Sequence, residues 1–218
     1  MIFTVLTDAV LNASVSFPKI LYTCIWYMID AFLVFAIHDF IQQIVARGIK
    51  CRPTCNPIRQ LRVYENWISA VCIALFWVGW KKTIDTKELS RPKKMLTAIC
   101  GPLACGVLCI PAYAAMWTLD KISAPDIFTV PFSALFTVCL LIGIFSLFFL
   151  PPCDGGTFIA QILPWDIRDK FLNFFDNNIG IVILVVGAAI LAQQGVTREV
   201  FEHGFSFFGN LWIAIFGG

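Results

Sequence analysis

Residues 128–150 read FTVPFSALFTVCLLIGIFSLFFL, an uncharged run of 23 residues that is followed by Pro151-Pro152. A helix of about 20 apolar residues spans the hydrocarbon core of a bilayer. Proline interrupts a helix because it lacks a backbone N–H. This run therefore predicts a transmembrane helix that ends at the proline pair, and it is typical of an integral membrane protein.

The composition of the whole chain agrees with a membrane location. Hydrophobic residues make up 59% of the 218 residues and charged residues 14%, whereas soluble domains have about 45–50% and about 25%. The mean hydropathy is +0.80. A globule of this size has too small an interior to bury so many apolar side chains. The composition therefore excludes a soluble enzyme, a disordered chain and a nucleic-acid-binding protein.

Other apolar stretches predict the remaining membrane segments. We expect an all-α protein that forms a single membrane domain over residues 1–218. Within it, an interfacial segment (1–17) precedes a core (18–165) and a C-terminal part (166–218) that holds the last span and an amphipathic tail. The predicted transmembrane helices cover residues 20–46, 96–117, 128–150 and 179–194. The aromatic stretch 205–216 is too short to cross and is expected at the headgroups.

The basic residues predict the topology. Thirteen of the 16 Lys and Arg residues lie in three stretches, 47–62, 81–94 and 168–170, and basic loops favour the cytoplasmic side. If the apolar segment 64–80 crossed the bilayer, one of the first two stretches would lie on the opposite side. We therefore predict that this segment is re-entrant from the cytoplasmic side, which gives four crossings and an amino terminus on the opposite side.

Polar residues interrupt the first predicted helix. His38 and Gln42 are four residues apart and therefore share a helix face, with Asp39 beside them and Asp30 eight residues before His38. Asp154 follows the 128–150 helix, which returns to the same side. Ionisable groups cost at least about 2.5–3.5 kcal/mol near the bilayer centre and usually mark a functional site. Spacing alone also allows an interfacial position for His38 and Asp39.

Several short motifs resemble, in order, those of a known family. Residues 151–156 read PPCDGG, which resembles the PPLDGG signature of the site-2 protease family of intramembrane zinc metalloproteases. HDFIQ at 38–42 stands where that family has HExxH. Further similar motifs are NP at 56–57, VGWK at 78–81 and ICGPLA at 99–104. The resemblance covers about residues 32–165 and implies a site-2-protease-like core of about four transmembrane helices plus the re-entrant segment.

The resemblance also implies a zinc site, from which this chain departs. It implies that His38 and Asp154 are metal ligands, while Gln42 replaces the family's second histidine and Asp39 is a shortened general base. An amide is a poor zinc ligand, and catalytic zinc generally takes three protein ligands. The sequence therefore retains two of the three ligands that the resemblance implies.

Two further positions are assigned to contact with a substrate or a partner. Ser146 stands where the family has the asparagine that helps to hold the substrate, and Asp30 lies on the first helix. The polar positions of the implied chemistry differ from the family pattern, whereas the scaffold glycines and prolines are present. This pattern favours a fold that is kept for another use.

The sequence therefore predicts a catalytically silent, structural or binding subunit of a membrane complex that holds no metal cofactor. Two alternatives stay open. The first is an active intramembrane zinc metalloprotease with an altered HDxxQ site, in which zinc-activated water attacks a peptide bond. The second is a small ion- or proton-translocating protein that uses the buried acidic residues. Membrane lipid and other transmembrane subunits are the expected partners, and nucleic acid is not.

Overall fold

A computed structural model describes residues 17–48, 67–76, 89–151, 153–175 and 178–216. Within these ranges the regular structure is helical and no β-strand occurs. The helices of the described residues, in chain order, are α1 (Phe17–Gly48), α2 (Trp67–Phe76), α3 (Arg91–Lys121), α4 (Asp126–Ser146), α5 (Asp154–Ile162), α6 (Trp165–Phe175), α7 (Asn178–Gln193) and α8 (Val196–Phe216).

Three of these helices, α1, α3 and α4, are long and apolar enough to cross a membrane. They cover the predicted spans 20–46 and 96–117 and most of 128–150. The chain is thus an all-α, multi-pass membrane protein, as its sequence predicts. The fourth predicted span, 179–194, coincides with α7, which has 16 residues. Outside the described residues lie residues 1–16 of the predicted interfacial segment and residues 49–62 and 81–88 of the predicted basic stretches. Of the segment 64–80, which is predicted to be re-entrant, the structure describes only the part in α2.

The three long helices pack into one bundle whose core is apolar. Val34 and Phe35 of α1, Cys109 of α3, and Phe136 and Ile142 of α4 are all fully buried there. Close-packed side chains of this kind hold helices together in a bilayer, where the lipid is itself apolar. The bundle therefore forms the rigid part on which the shorter helices are placed.

The outer face of α1 is suited to lipid. Leu21, Ile25, Ile29 and Leu33 recur every four residues and are about half exposed. Residues at this spacing form one stripe along a helix. The stripe lies opposite the buried face of α1, so that this helix has one protein-facing and one outward-facing side.

Two contacts show that α1 and α4 begin at the same end of the bundle. Lys19 Nζ lies 2.6 Å from Asp126 Oδ2, and the Tyr22 hydroxyl donates to the Ile127 carbonyl at 2.7 Å. The short turn between α3 and α4 contains Ser123 at φ 49° and reverses the chain. The first turn of α3 therefore lies at the other end of the bundle, where α1 and α4 terminate.

The C-terminal aromatic stretch belongs to a longer helix than the sequence predicts. Helix α8 runs from Val196 to Phe216 and packs against the middle of α4. Its Phe205 and Phe208 rings lie 6.0 and 5.5 Å from the Phe136 ring, with the ring planes nearly perpendicular. Such edge-to-face pairs are favourable. The stretch 205–216 thus packs against a membrane-spanning helix, and its expected position at the headgroups stays a prediction.

Candidate functional site

Three of the residues singled out in the sequence meet inside the bundle. Helix α1 carries His38 and Gln42 on its buried face, and Asp154 is the first residue of α5. His38 Nε2 lies 2.9 Å from Asp154 Oδ2, and Gln42 Nε2 donates a hydrogen bond to Asp154 Oδ1 at 2.8 Å. All three residues are at most 1% exposed. We refer to His38, Gln42 and Asp154 as the polar triad.

A glycine pair brings Asp154 to this position. The chain turns over residues 147–151 after α4, and α5 begins directly against that turn. A Cβ atom on Gly155 would collide with the backbone of Leu147 and Phe148, and one on Gly156 would collide with the backbone of residues 150 and 151. The backbones approach this closely because both positions lack a side chain. The DGG sequence therefore fixes where the aspartate enters the bundle.

Helix α3 closes the triad from a third side through Gly101. A Cβ atom at this position would overlap the His38 ring and would lie 2.8 Å from Gln42 Nε2. The imidazole thus rests directly on the α3 backbone. The sequence motif places Gly101 at the start of a span, but its contact with His38 is not evident from the sequence.

The electrostatics of the triad follow from its burial. A carboxylate that is removed from water is stable only when it is paired and hydrogen-bonded. Asp154 has the Gln42 amide on one oxygen and the His38 imidazole beside the other. The triad therefore joins α1 to α5 through polar contacts.

The other predicted site residues are buried as well. Asp39 is 1% exposed and Ser146 is fully buried. The Ser146 hydroxyl makes no hydrogen bond with any described residue. Asp30 is 4% exposed, and at 1.5 Å per residue it lies about 12 Å from His38 along α1. Its Oδ2 atom has no hydrogen-bond partner in the described part of the chain.

The donor set does not fit a catalytic zinc ion. Among the described residues, no group of three or more His, Cys, Asp and Glu side chains is placed to hold a metal. His38 and Asp154 supply two ligands, and the Gln42 amide presents its NH₂ group to the carboxylate. A catalytic zinc site takes three nitrogen, oxygen or sulfur ligands from the protein and keeps one position for water.

Cys153 lies next to Asp154 in the chain and is buried with it. The side chain is 1% exposed, and burial raises the pKa of its thiol, with a further increase from the neighbouring Asp154. Without a metal ion the thiol is therefore protonated at neutral pH, and it behaves as a small apolar side chain.

No protein-family model, curated protein or solved structure matches this chain. The likeness to site-2 proteases therefore rests on the sequence motifs described above.

Proposed function

We propose that this protein is a catalytically silent relative of site-2 proteases that serves as a structural or binding subunit of a membrane complex. The hydrogen bond between Gln42 and Asp154 is the observation that carries the proposal. At the position where the resembling family has its second histidine, this chain has an N–H donor instead of a nitrogen lone pair. The donor ties the carboxylate to α1.

The distribution of close packing supports the same conclusion. Gly101, Gly155 and Gly156 stand where a side chain would collide with the site or with the backbone around it. These positions build the site, and they agree with the family motifs. The positions that would perform hydrolysis do not agree, since Gln42 and Asp39 replace a ligand and a base. A fold that keeps its scaffold without its chemistry suits a role in binding or assembly.

Metal content tests the proposal directly. The purified wild-type protein is dialysed in mild detergent against a buffer that contains zinc. We expect it to hold much less than one zinc per chain afterwards. Gln42→His places a second imidazole four residues from His38, which completes three ligands. This variant is expected to approach one zinc per chain. Gln43→His is the matched control, because Gln43 is also buried on α1 but lies outside the triad, and it should leave the metal content unchanged.

A different result would favour the active metalloprotease. One tightly bound zinc per wild-type chain that is lost in His38→Ala would contradict the proposal that the protein is catalytically silent.

Cross-linking in native membranes tests the proposed role as a subunit of a membrane complex. We expect a product of fixed stoichiometry with another transmembrane protein, and an exclusively monomeric chain would contradict a subunit role.

A further inference from the structure

Two arginines from different helices meet on one exposed tryptophan. Arg91 is the first residue of α3 and Trp165 is the first residue of α6. The guanidinium carbon of Arg91 lies 4.5 Å from the centroid of the Trp165 ring, and that of Arg168 lies 3.8 Å from it. Stacking on an indole favours a guanidinium cation. It also holds two like charges close together at the end of the bundle where α1 and α4 terminate.

The two guanidinium groups differ in their partners. Arg168 donates to Asp169 Oδ1 through Nε at 3.0 Å and Nη2 at 2.9 Å. Arg91 Nη2 is shielded from solvent, and in the described ranges it has no hydrogen-bond acceptor. A shielded N–H without an acceptor is costly, and the planar guanidinium fork matches the oxygens of a phosphate. Arg91 as a whole is only partly buried, so its planar guanidinium can meet an oxyanion that approaches from the surface.

The surroundings add positive potential on the same side. Lys93 and Lys94 follow Arg91 in the first turn of α3. The N-cap Ser90 makes no side-chain hydrogen bond to the helix, and the N-terminal end of a helix carries a partial positive charge. Of the acidic residues on α6, Asp169 is paired with Arg168 and Asp166 is exposed.

Apolar side chains beside the arginines indicate the source of the phosphate. Trp165 and Ile162 are each 63% exposed, and Ile167 is 54% exposed. They lie at the end of the bundle where α4, the last of the three long apolar helices, terminates and is followed by α5 and α6. Tryptophan is favoured at the membrane–water interface. A lipid offers acyl chains to these apolar side chains and a phosphate to Arg91. A free phosphate ion offers only the contact with Arg91.

We propose that Arg91, supported by Arg168 on Trp165, binds the phosphate group of an anionic membrane lipid. The site lies on the surface formed by the start of α3 and by α6, separate from the polar triad, and it does not depend on the role proposed for the triad. Bound lipid would stabilise the junction between the two helices.

Lipid-dependent stabilisation of the full-length protein tests this site. We would measure the thermal midpoint in mild detergent during titration with phosphatidylglycerol, with phosphatidylcholine and with inorganic phosphate. The wild type is expected to show a saturable increase with phosphatidylglycerol alone. Arg91→Gln is expected to weaken the apparent affinity about tenfold, which corresponds to about 1.4 kcal/mol. Arg91→Lys keeps the charge but loses the planar fork, and an intermediate loss is expected.

The matched control is Lys121→Gln. Lys121 lies at the opposite end of α3 and has its own cation–π contact, 5.1 Å from the Trp117 centroid. Its loss should leave the response to phosphatidylglycerol unchanged. An equal effect of both glutamine variants would show general charge attraction and overturn the site. Equal stabilisation of the wild type by phosphatidylcholine or by inorganic phosphate would also overturn it, and these wild-type comparisons stay decisive if Arg91→Gln fails to fold.

Discussion

The imidazole of His38 depends on a neighbour that has no side chain. Gly101 brings the α3 backbone against the ring, and a Cβ atom there would overlap it. Gly106 lies on the same helix, and a Cβ atom at that position would meet nothing within 4 Å. The two glycines therefore separate the effect of crowding at the triad from the general effect of glycine on a helix.

Gly101→Ala is expected to destabilise the protein by about 1–3 kcal/mol, the usual cost of overpacking a close-packed interior. Gly106→Ala should be neutral or stabilising by up to about 1 kcal/mol, because alanine is the better helix former. Denaturation of both variants in detergent, followed by circular dichroism, measures the difference. Similar stability of the two variants would contradict the contact between Gly101 and His38.

At the residue scale, the sequence alone predicts part of the polar triad. The four-residue spacing places His38 and Gln42 on one helix face, and the DGG motif marks Asp154. The hydrogen bond between Gln42 and Asp154 also requires that α1 and α5 meet in the fold, which the spacing and the motif alone do not predict. The sequence also assigns Ser146 and Asp30 to contact with a substrate or a partner, and this assignment stays a prediction.

At the scale of elements, aromatic side chains attach α8 to the long helices. Tyr113 of α3 lies 5.5 Å from Phe205 and 6.3 Å from Trp212, measured between ring centroids. Phe136 of α4 completes the cluster. Gly204 lies against Leu140, where a Cβ atom would be 2.6 Å from a methyl group. A small residue thus allows the two helices to approach closely, as is common in membrane proteins.

Phe136→Ala is expected to destabilise the protein by about 3–5 kcal/mol, because it opens a cavity in the aromatic cluster. Phe132 lies one turn earlier on α4 and is 40% exposed, so Phe132→Ala should cost much less. The midpoint of thermal unfolding in detergent compares the two variants. Equal decreases would mean that contact with α8 contributes little to the stability of the bundle.

Hydropathy locates α1, α3 and α4 well, but it does not locate their ends. Residues 147–150 are apolar and continue the predicted span, yet α4 stops at Ser146 because the backbone must turn to meet Gly155 and Gly156. Similarly, hydropathy separates the aromatic stretch 205–216 from the polar residues before it. The structure joins them in α8, since helix continuity depends on the backbone and not on polarity.

At the scale of the whole molecule, the charges differ between the two ends of the bundle. Lys19, Asp120, Lys121 and Asp126 balance one another at the end where α1 starts. Arg47, Arg91, Lys93 and Lys94 collect at the opposite end. Composition and basic-residue counts predict this asymmetry from sequence, because they require no knowledge of packing. The positions of the shorter helices depend on long-range contacts and are not predicted.

Labelling from the two sides of a vesicle tests this arrangement. Helix α3 has 31 residues, about 46 Å at 1.5 Å per residue, which is enough to cross the bilayer. We expect a cysteine introduced by Lys93→Cys to react with an impermeant maleimide from the cytoplasmic side, and Lys121→Cys to react from the other side. The unsubstituted chain supplies the background from its native cysteines. If the cysteines of both variants were labelled from the same side, this would contradict the prediction that α3 crosses the bilayer.

The shared starting point of α1 and α4 has a consequence for the depth of the triad. Counting from the Lys19–Asp126 contact, α4 ends level with about residue 39 of α1, so that the remaining nine residues of α1 extend roughly 14 Å further. This overhang leaves a step at the edge of the bundle, where Asp154 at the start of α5 meets Gln42 of α1. Because α1 extends beyond the end of α4, the polar groups at this step are covered by protein instead of lipid. Lengthening α4 by a single turn, about 5.4 Å, would remove more than a third of this overhang.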